Sequence, residues 1–163
     1  MKKIVLLAAS FLTVLTFNAS AAGVGIVDMK TIFSDSSQVK VIKAKLSKQF
    51  EPQKTKLEKM GELLQSDIAK YQKDKDVMDK KDLSTLETNI TNQENTFRAA
   101  QTKFQQEVFT AQNDSLNDFM SSVKTAVGSI AKQEKLDLVI PSNDVLYAKD
   151  GMDITQKVLQ KMK

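Results

Sequence analysis

The chain contains no cysteine, histidine or tryptophan, and among its 163 residues only two are proline, five are glycine and one, Arg98, is arginine. Without cysteine there is no disulfide scaffold and no thiolate chemistry. Without cysteine or histidine there is no zinc site of the usual kind. The Ser-His-Asp and Cys-His catalytic pairs are excluded, and so is the side chain that most often moves protons near neutral pH. No Gly-rich loop with Walker spacing is present to cradle a nucleotide. A single arginine is poor equipment for gripping phosphates or reading bases, so nucleic acid is not an expected partner. Asp74 and Asp76 are interleaved with Lys73 and Lys75, which oppose a bound cation. The expectation is a protein that is not an enzyme, with no catalytic, metal or cofactor-binding residues and no cofactor.

What is present begins with an address. Lys2 and Lys3 precede an apolar run at 4–17, and Ala19, Ser20, Ala21 and Ala22 follow. That is the secretory signal pattern, with cleavage after Ala21 or Ala22, and the run is shorter than the roughly 20 residues of a membrane-spanning helix. Residues 1–22 are therefore read as a cleaved signal peptide, and the location as the periplasm. Removing its two lysines leaves 22 basic and 20 acidic groups, a nearly balanced net charge of +2.

Residues 23–28, Gly-Val-Gly-Ile-Val-Asp, read as a strand. Residues 30–37 read as a connector with one helical turn, and Asp35, Ser36 and Ser37 are all possible caps for a following helix. Over 38–71, apolar residues recur at Val39, Ile42, Leu46, Phe50, Leu57, Met60, Leu64, Ile68 and Tyr71, the period of a helix with one narrow stripe. Pro52 predicts a kink or break there, and Gly61 a further weakening. Residues 73–82 lose the stripe and read as a turn, with Asp82 capping a second long helix over 83–133. Residues 136–140 and 145–148 read as strands separated by a Pro-Ser-Asn-Asp turn, and Asp153 with Gln156 as the capping box of a last short helix.

The fold class is thus α+β: a small β-rich oligomerisation body at 23–37 and 134–163, with a long antiparallel helical hairpin at 38–133 inserted between the strands. Residues 40–59 carry seven lysines and two glutamates, and residues 84–118 five acidic residues against Arg98 and Lys103, which predicts a positive helix facing a negative one. A hairpin has one narrow interface, and a scrap of sheet that small is marginal alone with its edges unpaired. Self-association would relieve both shortages.

The two ends carry a resemblance. Residues 24–29 with Ile32 and Phe33, and at the other end residues 136–140, 145–148 and 153–159, resemble the first strand and the C-terminal block of the Skp/OmpH family of periplasmic chaperones. The resemblance implies a homotrimer in which a β-rich body carries three helical tentacles around a cavity. It also implies that unfolded outer-membrane β-barrel proteins are held there without ATP, so that they do not aggregate. The chain departs from the family's basic tentacle tips, since residues 70–82 hold five lysines and four aspartates. The family's lipopolysaccharide contact has only Arg98 and Lys103 to match it, so binding to lipopolysaccharide or a membrane surface is expected to be weak. The alternative is a structural or adaptor coiled-coil protein of the envelope without chaperone activity.

On this reading the candidate client contacts are Phe109, which lies off the stripe, and Val77 and Met78 at the turn. The candidates for the oligomerisation body are Val24, Ile26, Leu138, Ile140, Val145 and Tyr147. The candidate hinges are Pro52 and Gly61. Phe97, Phe104 and Met60 lie on the stripe and are read as packing residues.

Overall fold

A computed structural model describes residues 23–163. The signal-peptide reading falls on residues 1–22, outside the described residues. The elements run in order as β1 (Val24–Val27), α1 (Met29–Asp35), α2 (Ser37–Asp74), α3 (Lys80–Glu134), β2 (Leu138–Pro141), a 3-10 turn (Ser142–Asp144) and α4 (Thr155–Lys161). The class is α+β, a small body carrying one long helical hairpin.

β1 and β2 pair in parallel, Val24 opposite Leu138 and Ile26 opposite Ile140. Parallel strands need a long crossover, and here the entire hairpin supplies it. Glycine is required at residue 23, where β1 meets the end of α3: a Cβ there would lie 2.8 Å from the Lys135 carbonyl oxygen, whereas one on Gly25 would meet the movable tip of the Leu136 side chain at 2.7 Å. Lys135 itself closes α3 in the left-handed conformation, with φ 54°.

The third extended segment is not the expected one. Residues 145–148 form no strand. Met152–Ile154 takes the open edge of β1 instead: Ile26 N donates to Met152 O at 2.8 Å, and Ile154 N donates to Ile26 O at 2.9 Å. Both backbone groups of Ile26 are thereby used, and 145–148 is left peripheral to the sheet. The Asp153–Gln156 capping box is also replaced. Asp153 Oδ1 accepts from Thr155 N at 2.8 Å, and the buried Thr155 hydroxyl accepts from Asp28 N at 2.8 Å, tying α4 to the end of β1.

Residues 30–37 are more helical than expected, because Asp28 caps α1. Its carboxylate accepts from the Thr31 hydroxyl at 2.7 Å, from Thr31 N at 3.2 Å and from Lys30 N at 2.9 Å. These bonds, Thr31's first, hold the Asp28 carboxyl below the usual carboxylate range. A lowered folded pKa adds stability above the unfolded value of about 3.9, and that stability is lost as pH falls through the folded pKa. Asp28→Asn keeps a cap but not the charge. Its deficit in urea midpoint relative to wild type is expected to be full at about pH 6 and to narrow as pH falls below about 4. A deficit that stays constant over that range would contradict this account.

The body's core joins β1, α1, the start of α2, the last part of α3 and α4 through Val27, Ile32, Val39, Phe119, Val123, Ala126, Ile130, Ile154, Val158, Leu159 and Met162. α3 therefore serves two purposes. Its first part is an arm of the hairpin, and its last part is a wall of the body.

α2 has 38 residues and α3 has 55. At about 1.5 Å per residue they are ~57 and ~82 Å long. α2 runs unbroken through Pro52, so the predicted break does not occur. The ring is exposed on the outer face, away from the contacts with α3. The second helix starts at Lys80 with Asp79 as its cap, Oδ1 accepting from Lys81 N at 2.8 Å, three residues before the expected Asp82. Ser36 caps α2, as one of the three candidates.

Candidate functional site

The hairpin is antiparallel. Phe50 meets Phe104 edge to face with ring centroids 5.9 Å apart, Gly61 lies under Phe97, and Tyr71 reaches Glu87. Its polar bonds are not the lysine–carboxylate pairs that charge patterning predicts. Gln53 donates to Glu107 at 2.9 Å, Gln93 to Asp67 at 2.7 Å, and the Tyr71 hydroxyl to Glu87 at 2.9 Å. Glu87 raises the Tyr71 phenol above its ordinary range by accepting that hydrogen bond. The ion pairs of the arms, Lys54–Glu58 and Lys103–Glu107, each lie within one helix, and among the described residues none joins α2 to α3. The physical reason is reach. Amide and phenol side chains near the seam meet a carboxylate directly, while the lysines gain more from keeping their ammonium groups in water.

Packing along the arm is thin. Of α2 only Val39 and Phe50 are buried, and the rest of the stripe is half-buried. One apolar cleft of about 310 Å³ opens where the arm joins the body, lined by Phe33, Val39, Ile42, Leu46, Leu116 and Phe119. Phe33 and Leu116 are exposed at its mouth. Among the described residues no group of three or more acidic, histidine or cysteine side chains converges as a metal site would require. No described helix is long and apolar enough to cross a membrane.

The sequence-predicted residues fall into separate places. Phe109 is 64% exposed on the flank of α3, and Val77 is 84% exposed in the turn between the helices, with Met78 beside it half-buried. These two locations are far apart along the arm and form no single pocket. Leu138 and Tyr147 are exposed at the rim of the body, with Val24, Ile140 and Val145 half-buried. Ile26 is buried within its own chain and has little surface left to offer. Pro52 is exposed. An alanine methyl at Gly61 would meet Phe97 at 3.7 Å, an ordinary contact.

Sequence reading missed Leu146, fully exposed between Val145 and Tyr147. The strand assignment hid it by pairing that segment inside one chain. It also missed Phe33, Leu116, Val41 and Leu63, all exposed apolar residues of the arm and its root. With Leu138 at the start of β2, Leu146 and Tyr147 are the large apolar residues that the C-terminal part of the body leaves exposed.

Comparisons with known proteins agree in kind. A family model described as outer membrane protein (OmpH-like) matches residues 23–162. Chaperone protein Skp of Yersinia enterocolitica is 32% identical over 160 residues, covering 97% of this chain and 98% of its own. Chaperone protein Skp of Blochmanniella pennsylvanica is 34% identical over 140 residues, covering 85% and 84%. That of Escherichia coli is 30% identical over 164 residues and covers both chains completely, 100% of each. A crystal structure of an OmpH-like protein from Caulobacter crescentus superposes with a TM-score of 0.75 over 88% of this chain and 85% of that one, at 17% identity. At that identity the likeness speaks for the fold.

Proposed function

We propose a function from one premise: this chain belongs to the OmpH-like outer membrane protein family. Its curated relatives carry the name of chaperone over nearly their whole length, and the chain is a chaperone rather than an enzyme. The adaptor alternative is set aside by that shared name. Beyond it, we propose an ATP-independent holdase of the periplasm that binds unfolded outer-membrane β-barrel proteins in a space enclosed by three copies of this chain.

The observation that carries the assembly is the rim. Leu146 and Tyr147 stand in solvent, as does Leu138 at the start of β2, and among the described residues β2 pairs with β1 alone. Exposed apolar residues and unpaired strand groups are surfaces built to be covered, and a second copy offers the same deficit. With bodies joined at this rim, the arms project as separate legs around a shared volume. Client affinity then comes from many weak contacts at high effective concentration. Phe109, Val77 and Met78 are contacts on those legs. Pro52 and Gly61 weaken α2 within one arm and let the legs spread for larger clients.

Solution mass tests the assembly. The mature protein is expected at three times its chain mass, and a Leu146→Glu/Tyr147→Glu variant as a monomer. A wild type that stays monomeric at micromolar concentration would overturn the enclosed space. Light scattering tests the activity: a denatured β-barrel protein diluted into buffer should scatter less with the protein present, with no nucleotide added.

A further inference from the structure

α2 carries a second stripe that the fold leaves uncovered. The pattern is an apolar residue, then lysine four and seven positions on, and it repeats every eleven residues: Val41, Lys45, Lys48, then Pro52, Lys56, Lys59, then Leu63, Asp67, Lys70. Eleven residues complete three helical turns with a drift of only about 20°, so the repeats stack into one nearly straight line with a rise of ~16.5 Å per repeat. The line sits about 120° around the helix from the residues that pack on α3. Only Asp67, at its edge, departs from the pattern, and it is engaged by Gln93.

Both components are free. Val41 is 66% and Leu63 55% exposed, and Pro52 is exposed between them. Lys45, Lys48, Lys56, Lys59 and Lys70 are all exposed, and among the described residues none is in an ion pair. Glu51, Glu58 and Glu62 fall on the other flank of α2. Glu107, which lines the same stretch of the arm as Lys56, is already engaged by Gln53 and Lys103. Between the second and third repeats lies a shallow recess of about 390 Å³, walled by Pro52, Thr55, Lys56, Lys59, Met60 and Leu63.

We infer that this stripe is a docking track for an extended acidic polypeptide segment whose apolar side chains seat beside Pro52 and Leu63 while its carboxylates meet the lysines. Charge complementarity selects an acidic partner. The recess selects a polypeptide over a lipid surface, because it accepts a protruding side chain and a flat bilayer offers none. Three apolar residues ~16.5 Å apart are also too sparse to anchor a helix in a membrane. The track deepens the holdase reading and rests on it, naming where an unfolded client lies and what its sequence must contain.

The test uses the full mature protein and a fluorescent, unstructured 20-residue peptide of mixed Asp, Glu, Leu and Phe. Lys56→Glu/Lys59→Glu is expected to weaken peptide binding about tenfold, and Leu63→Ser to weaken it less. Lys40→Glu/Lys54→Glu, with the same charge change off the track, should stay within about threefold of wild type. Far-UV circular dichroism should be unchanged in all three, since each side chain is exposed. Equal losses on and off the track, or none, overturn the assignment. So does loss of binding to phosphatidylglycerol vesicles with peptide binding intact, which would make the track a lipid contact. The scattering assay runs beside these. Wild type that suppresses aggregation with equal peptide binding by both double variants overturns the track alone. Wild type that fails to suppress aggregation overturns the holdase reading and the track together.

Discussion

Phe119→Ala is expected to lower the unfolding free energy by about 4 kcal/mol. The ring is only 2% exposed, sits in the core where α3 passes from arm to body, and meets Phe33 edge to face with centroids 5.6 Å apart. Truncation removes the transfer energy of a whole ring, leaves a cavity continuous with the apolar cleft at the arm's root, and ends the aromatic pair. The neighbours that could collapse inward, Val123 and Val39, are themselves fixed by the core around them. A urea titration followed by circular dichroism measures the shift, and equal protein concentrations are needed because assembly adds to apparent stability. The same truncation at Phe104, half-buried along the arm, should cost distinctly less. Equal losses at the two sites would mean that the arm and not the body holds the fold.

Ile154→Ala is expected to cost about 3 kcal/mol, and its effect should reach the other end of the chain. Ile154 is 1% exposed, and its backbone N–H is one of the two bonds that place residues 152–154 on β1. Its side chain packs in the same core as Ile32 and Val158, both fully buried. Loosening it frees the C-terminal segment. With that segment go the Thr155 hydroxyl that accepts from Asp28 N and the cap of α4. Hydrogen exchange should therefore accelerate at Ile26 and Asp28, 126 or more positions away in sequence, while amides in the middle of α3 keep their protection. Faster exchange confined to α4 would show that the termini are not coupled in this way.

Much of this was legible in the residues. The 3- and 4-residue spacing of Val39 through Tyr71 and of the second helix could only bury one face, so the hairpin followed from periodicity. The strand at 24–27, the strand at 138–141 and their closure across the hairpin followed from β-branched runs at the two ends. The errors share a cause. Residues 145–148 have strand composition, yet composition does not say which segment wins the second edge of β1, and 152–154 won it through Ile26. Asp79 displaced Asp82 as a cap because boundaries depend on local hydrogen bonds that several aspartates could make. The lysines of α2 and the acids of α3 are opposite in charge, but only side-chain reach across the seam decided that Gln53, Gln93 and Tyr71 would make the contacts.

The candidate surfaces divide in the same way. Phe109 was found because it lies off the stripe, where a helical residue has little option but solvent, and Val77 because it lies in the turn where the stripe is lost. Leu146 was missed because its exposure depends on a strand that did not form. The eleven-residue lysine track was present in the letters all along, but a second periodicity means nothing until one knows which face the partner helix covers. Periodicity is a property of consecutive residues and of the rigid geometry of a helix, so sequence alone determined the hairpin, its length and the extended character of its ends. Competition among distant segments for the same hydrogen-bonding edge and the same buried volume is settled only when all of them are present together. The tertiary structure therefore decided the third strand position, the wall that α3 lends to the body, and which apolar and basic side chains were left facing water.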